Sequence, residues 1–341
     1  MSIVMTGGGT GGHLAIIRAV KEELKGKKII YIGSTSGQDK SWFEHDNDFE
    51  KKYFLQTRGV VNQGIFGKIK SLWMLACTVV SSYQIIKKEN VKVVFCVGGF
   101  SAAPASIASV LARIPLVIHE QNAVIGSLNR RLMKYAKVFI SSYVEDSPIK
   151  SYPIKKEFFE NARLRKSVKT ILFLGGSQGS LSINNIALSL APWLKNESIK
   201  IIHQAGEKNI DNVKKRYEEI GIEADVFGFA NNMPQIMSQA DIAVARSGAS
   251  TLWELSANNL PTVFVPYPYA AGDHQFFNAK FLVDQNLAFI FREKKVDIEE
   301  IKNIIKDSKD LETKSKSLKK VIDRNGSKQI ANLLLKLSKQ S

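Results

Sequence analysis

Five short stretches carry residue types suited to a phosphorylated ligand or a sugar. The first is Gly7-Gly8-Gly9-Thr10-Gly11-Gly12-His13, directly after the apolar run Ile3–Met5 and before a helical pattern from Leu14 to Lys25. Glycine lets a ligand approach the main chain and permits positive φ. A strand–glycine–helix corner also aims free N–H groups and the helix dipole at an anion. Gly7, Gly9 and Gly12 fit dinucleotide spacing, but the next strand ends Tyr31-Ile32-Gly33-Ser34, without the acid such sites use on the ribose. A nicotinamide cofactor is therefore not expected. His13 opens the helix, where the dipole favours a neutral imidazole able to act as a general base.

The other four stretches also follow apolar runs. His119-Glu120-Gln121-Asn122 comes after Leu116–Ile118 and offers four hydrogen-bonding side chains for sugar hydroxyls and amides. Gly175-Gly176-Ser177-Gln178-Gly179 follows Thr170–Leu174; Ser177 sets a hydroxyl beside main-chain N–H groups, as a phosphate requires. It lacks the Gly-Lys-Ser/Thr ending of a P-loop, which argues against ATP hydrolysis. Arg246-Ser247-Gly248-Ala249-Ser250-Thr251-Leu252-Trp253-Glu254 opens a helix after Asp241–Ala245, with Ser and Thr placed to cap it. Glu254, one turn in, can accept two ribose hydroxyl protons or serve as a simple first-turn acid. Gly272-Asp273-His274-Gln275 follows Thr262–Val265, where Asp and Gln can hold sugar hydroxyls, or Asp273 can cap a helix. Asp46-Asn47-Asp48 has metal-binding spacing but follows no apolar strand and reads as solvated surface.

The elements that must position these groups alternate strand, glycine turn and helix, which argues for parallel sheets covered by helices. Lys28–Ile32, Val91–Val97, Leu116–Ile118 and Val138–Ser141 continue the first set of strands. The pattern restarts at Thr170 and runs on through Ile199–His203, Asp241–Ala245 and Thr262–Val265. Ser147–Pro153, polar and with two prolines, reads as a linker. The expected organisation is a first Rossmann-like domain over 1–150, a second over 151–320, and a C-terminal helix over 321–341 packing back towards the first. Asp310 to Lys339 reads as two Lys-rich amphipathic helices.

The 341 residues include 44% hydrophobic and 23% charged, values that exclude disorder and collagen. Two cysteines, Cys77 and Cys96, are too few for a disulfide framework or a four-ligand zinc site. Met1 to Gly12 lacks a basic start and turns into a glycine loop, so no secretory leader is expected. Ser71 to Ile86 is shorter than the roughly 20 apolar residues of a membrane span, and Phe100 to Ile118 is broken by Pro104, Arg113 and Pro115. A soluble or peripheral protein is expected. The net charge of +16 suits an anionic membrane, phosphorylated substrates or nucleic acid, and a lysine-rich proteome would also produce it.

Taken in order, Gly-Gly-Thr-Gly-Gly-His, His-Glu-Gln-Asn, Gly-Gly-Ser-Gln-Gly and Arg-Ser-Gly-Ala-x-Thr-x-x-Glu resemble one family from residue 3 to about 290. It is the family of peripheral-membrane N-acetylglucosaminyltransferases of peptidoglycan synthesis, in glycosyltransferase family 28. The resemblance implies an α/β fold of glycosyltransferase B type, with two Rossmann-like domains facing a central cleft. The donor would lie in the second domain and the acceptor in the first. It implies transfer of N-acetylglucosamine from UDP-N-acetylglucosamine to a polyprenyl-diphosphate-linked muramoyl pentapeptide, with inversion, at the cytoplasmic face of the plasma membrane. An anionic membrane surface would be a partner, with no nucleic acid, no cofactor and no metal.

By the same resemblance, His13 is the candidate base. Thr10, Gly11 and Gly12 would lie at the donor diphosphate and sugar, Asn122 and Gln275 at the transferred sugar, and Ser177 at a donor phosphate. Phe229 and Ala230 would lie by the uracil. Ala249, Ser250 and Thr251 would line the donor, with Glu254 on the ribose, and Gly98 and Gly99 would receive the acceptor diphosphate. Lys155 stands where the family has an arginine, keeping the charge without the bidentate fork. The acceptor loop reads Phe-Ser-Ala-Ala-Pro where the family has Tyr-x-Ser-Gly-Pro. A segment from Gly64 to Trp73, apolar beside lysines, would dip into the bilayer surface. An epimerase acting on the same UDP-sugar, a transferase using another lipid, and a nonenzymatic nucleotide-sugar binder are the competing readings.

Overall fold

A computed structural model describes residues 2–57, 65–176 and 178–340. The chain divides into two compact units, one formed by residues 1–154 with 325–341 and the other by 155–324. In the first unit, β1 (Ser2–Thr6), β2 (Lys28–Ser34), β3 (Lys51–Leu55), β4 (Val91–Cys96), β5 (Leu116–Glu120) and β6 (Val138–Ser141) form one parallel sheet in the order β3-β2-β1-β4-β5-β6. In the second, β7 (Thr170–Leu174), β8 (Lys200–Gln204), β9 (Ala224–Phe227), β10 (Ile242–Ala245), β11 (Thr262–Phe264) and β12 (Phe289–Ile290) form another, ordered β12-β11-β10-β7-β8-β9. Counted from its own first strand, each sheet has the same doubly wound order, 3-2-1-4-5-6.

The central strands are buried on both faces, so they read as continuous apolar runs rather than alternating ones. Val4, Ile30, Val94 and Ile118 anchor the first core, and Ile171, Phe173, Ile201 and Val244 the second. The first unit is closed by the helix Gly326–Gln340, which packs on β4 and on the helix Gly11–Glu22 and buries Ile330, Leu334 and Leu337. The chain passes between units at Ile154–Lys155 and returns at Arg324–Asn325. Because all strands of a sheet are parallel, the loops after their C-terminal ends share one edge. The five stretches singled out for a phosphorylated ligand or a sugar each stand at such a strand end, with Ser177 outside the described residues; Asp46–Asp48, before β3, does not.

Candidate active site

In the first unit two glycine loops interlock at the point where the chain order of the sheet reverses, between β1 and β4. The Gly8 N–H donates to the Gly98 carbonyl at 3.4 Å. Gly99 has φ +82°, and a Cβ there would stand 2.4 Å from the Gly8 oxygen, so no other residue fits. The first loop is braced from below by Asp39, which is fully buried. Its carboxylate accepts the Gly9 N–H (2.7 Å), the Ser34 N–H (2.9 Å) and the Tyr31 hydroxyl (2.9 Å). Sequence reasoning missed Asp39: it opens the short helix Asp39–Phe43 after a polar stretch, and only the fold brings Gly9 to it.

Thr10, Gly11, Gly12 and His13 occupy the start of the helix Gly11–Glu22. Thr10 is its N-cap, yet its side chain caps no N–H; Oγ1 instead lies 3.0 Å from His13 Nδ1. His13 Nε2 lies 2.9 Å from the side-chain nitrogen of Gln121. A Cβ on Gly98 would stand 3.5 Å from that same Nε2. The first unit therefore brings together His13, Thr10, Gly98 and the loop after β5.

That loop corrects one expectation. β5 runs through Glu120, so His119 and Glu120 belong to the strand and not to a four-residue polar surface. His119 is fully buried, with no hydrogen-bond partner for either ring nitrogen among the described residues; burial, helped by nearby His13, pulls it down to about 3 and keeps it neutral. The Glu120 carboxylate shapes its own loop, accepting from the Asn122 and Gly126 N–H groups (3.0 and 2.9 Å) and from Asn129 Nδ2 (2.9 Å). Of the four residues, Gln121 and Asn122 are left at the loop.

In the second unit Ser177 lies outside the described residues. Its neighbour Ser180 caps the helix Leu181–Asn196 by accepting the Ile183 N–H. Arg246, at the end of β10, ties the crevice loops of this unit together. It donates to Ser180 Oγ (3.0 Å) and to the carbonyls of Val265 (2.9 Å) and Pro266 (3.1 Å), and it pairs with Glu293. The helix Ala249–Ala257 has Gly248 as its N-cap, so Ser250 and Thr251 lie inside the first turn and do not cap it as the sequence suggested. Ala249 is buried, and Ser250, Thr251 and Glu254 are partly exposed. Glu254 is partly exposed as a residue, but its carboxyl is enclosed by protein, and that desolvation pushes it up to about 7, against the pull of Lys155.

Gln275 sits in the first turn of the helix His274–Val283, its Oε1 accepting the Tyr267 N–H at 2.9 Å. Asp273 is that helix's N-cap but makes no cap hydrogen bond; its carboxylate pairs with Arg292. Phe229, half exposed, and Ala230 follow β9 on the same sheet edge. Asp46 and Asp48 hold the buried Lys21 ammonium at 2.6 and 2.8 Å, which accounts for them without a metal. Among the described residues no group of three or more His, Cys, Asp or Glu is arranged to hold a metal ion.

Comparison with known proteins bears on the family and the fold. Residues 3–141 match the glycosyltransferase family 28 N-terminal domain, and residues 170–334 the family 28 C-terminal domain. A UDP-N-acetylglucosamine–N-acetylmuramyl-(pentapeptide) pyrophosphoryl-undecaprenol N-acetylglucosamine transferase of Sulfurovum sp. (strain NBC37-1) is 60% identical over 339 residues, covering 99% of this chain and 100% of that protein. The transferase of the same name from Wolinella succinogenes is 48% identical over 337 residues, covering 98% and 100%. A crystal structure of Acinetobacter baumannii MurG superposes with TM-score 0.82 at 26% identity, covering 98% of this chain and 99% of that one. A UDP-GlcNAc 2-epimerase of Neisseria meningitidis, bound to UDP-GlcNAc, shares the fold at TM-score 0.64 and 14% identity, covering 98% and 100%. The chain belongs to glycosyltransferase family 28, with both Rossmann-like domains of the glycosyltransferase B type.

Proposed function

We propose that this enzyme is an inverting hexosyltransferase. It moves N-acetylglucosamine from UDP-N-acetylglucosamine to O4 of the muramoyl sugar of undecaprenyl-diphospho-N-acetylmuramoyl-pentapeptide (lipid I). The products are UDP and the β-1,4-linked disaccharide lipid (lipid II). The observation that carries this reading is the 60% identity over 99% of the chain with a transferase named for that reaction.

Three chemical tasks follow: a held leaving group, an oriented sugar and a deprotonated acceptor hydroxyl. His13 takes the proton of the acceptor O4–H as the oxygen bonds to the anomeric carbon. The bond from that carbon to the diphosphate oxygen breaks, its electron pair leaving on UDP. A general base of this kind contributes about 10²–10⁴-fold. The helices Gly11–Glu22 and Ala249–Ala257 each start at the strand-end edge of their own sheet, where N–H groups and dipole favour anionic charge. In this reading Thr10, Gly11, Gly12 and Ser177 attend the diphosphate, and Asn122 and Gln275 the transferred sugar. Phe229 and Ala230 attend the uracil, and Ala249, Ser250, Thr251 and Glu254 the donor nucleoside. Gly98 and Gly99, both at positive φ, receive the acceptor diphosphate.

The acceptor is a lipid, so the enzyme works at a membrane surface. No helix among the described residues is long and apolar enough to cross a membrane. The helix Ile65–Lys88 exposes Leu72, Trp73 and Val80, with Lys70, Lys87 and Lys88 exposed as well. That combination supports peripheral binding to anionic lipid at the cytoplasmic face of the plasma membrane. Residue 64 and the side chains of 65–69, the first part of the segment expected to make this contact, lie outside the described residues. Leu72→Asp with Trp73→Asp should abolish sedimentation with anionic liposomes; unchanged sedimentation removes this face from the account.

The reaction is tested by following UDP release with and without a short-chain lipid I analogue, in EDTA. Acceptor-dependent release with a β-linked disaccharide product is expected. Formation of the 2-epimer without transfer would make the chain an epimerase instead.

A further inference from the structure

His13 is held at both ring nitrogens, by Thr10 Oγ1 at 3.0 Å and by the side-chain nitrogen of Gln121 at 2.9 Å. An amide nitrogen only donates. Against it, Nε2 presents its lone pair, so the neutral ring carries its proton on Nδ1 and donates it to Thr10. The lone pair then lies beside Gly98, in the second glycine loop. The other end of the amide is harder to explain by packing. Gln121 is 7% exposed, and its Oε1 is buried with no hydrogen-bond partner among the described residues. An unpaired buried oxygen is costly, and a leucine would fill the space without one. The main chain beneath it is fixed, because Glu120 pins the loop through Asn122, Gly126 and Asn129.

We propose that Gln121 is the positioning residue of the base, a role that rests on the reading of His13 given above. In the resting enzyme its N–H keeps the imidazole in the tautomer whose lone pair is on Nε2. The acceptor hydroxyl displaces that N–H, and its proton passes to Nε2 as the oxygen attacks the anomeric carbon and UDP departs with the electron pair. The ring is now an imidazolium with an N–H on each side. Thr10 Oγ1 accepts one, and a half-turn of the amide brings the unpaired Oε1 to accept the other. One neutral side chain thus serves both protonation states of the base. The neighbouring titratable groups are His119, neutral and buried, and Glu120, whose carboxylate is turned to its own loop.

The test reads the ring directly, by ¹⁵N NMR of histidine-labelled enzyme, with the His13 signals identified by their loss in His13→Ala. Wild type should show His13 with its proton on Nδ1. Gln121→Leu should lose that bias and lower kcat about tenfold or more, with the KM for UDP-N-acetylglucosamine little changed. Gln121→Glu should move the proton to Nε2 and raise the pKa of the ring. A base works unprotonated, so the acid limb of the kcat–pH profile should move up by about one unit or more. Wild type carrying the proton on Nε2, or Gln121→Leu keeping both tautomer and kcat, overturns the proposal. A switched tautomer in Gln121→Glu with an unmoved kcat–pH profile overturns the reading of His13 as the base and leaves the contact itself standing.

Discussion

The two sheets have one topology and two different uses of it. The corner after β1 is built on buried polar groups. Asp39 and Glu120 each hold several donors, and the imidazole of His13 is gripped at both nitrogens. The edge after β7 and β10 is built on one long cation, Arg246, reaching Ser180, the Val265–Pro266 loop and Glu293, and on a carboxyl whose surroundings disfavour its charge. The first arrangement holds one imidazole by both nitrogens, as the proposed base requires; the second ties loops together, as the proposed donor site requires. Duplication of a fold does not duplicate chemistry, because the residues at the strand ends are free to differ while the core is not.

The sharpest way to break this contrast is to remove Asp39. In Asp39→Ala the N–H groups of Gly9 and Ser34 lose their acceptor, while the Tyr31 hydroxyl keeps the Gly7 carbonyl at 2.9 Å. At about 1–3 kcal/mol for each unpaired group, the first unit should be destabilised by upwards of about 2 kcal/mol. Hydrogen exchange should show the loss in β1, β2 and the helix Gly11–Glu22, with the second unit protected as before; uniform loss would mean the two units are not separately stabilised.

Arg246→Ala should act in the other unit and on the other parameter. Freed from Ser180, Val265 and Pro266, the crevice loops hold the donor less well, and its KM should rise about tenfold with a smaller change in kcat. A fall in kcat at constant KM would place Arg246 in the chemistry instead.

The smallest effect expected is a pH dependence. Glu254 accepts ribose hydroxyls best when ionised, but burial raises it from the ordinary carboxylate range to about 7. Donor affinity should therefore climb as pH rises through about 7 and fall by up to tenfold per unit below it. The stability linkage has the opposite sign: a raised folded value favours the protonated protein, so this contribution is lost as pH rises from the usual carboxylate range through about 7. Glu254→Gln should flatten the affinity profile, read by calorimetry with UDP; an unchanged profile would assign it to another group.

Much of this was legible in the sequence, for a physical reason. Central strands of a parallel sheet are apolar on both faces, so β1, β4, β5, β7 and β10 stand out, and the glycine corners after β1 and β7 mark themselves. The edge strands β3, β9 and β12 do not. Lys51 in β3 and Asp225 in β9 are exposed, and β12 is two residues long. The site divides in the same way. His13 and Glu254 can be read from their place at a helix start. Asp39 and the hold of Gln121 on His13 cannot, because each depends on partners brought close only by the folded sheet; Gln121 and His13 are 108 positions apart.

The division of labour between the two corners is tested most directly by one comparison on His13→Ala: its affinity for UDP-N-acetylglucosamine against its turnover with a lipid I analogue. The account predicts a dissociation constant within about twofold of wild type and a turnover lower by about 10²–10⁴. Affinity lost in step with turnover, or turnover near wild type, would contradict it.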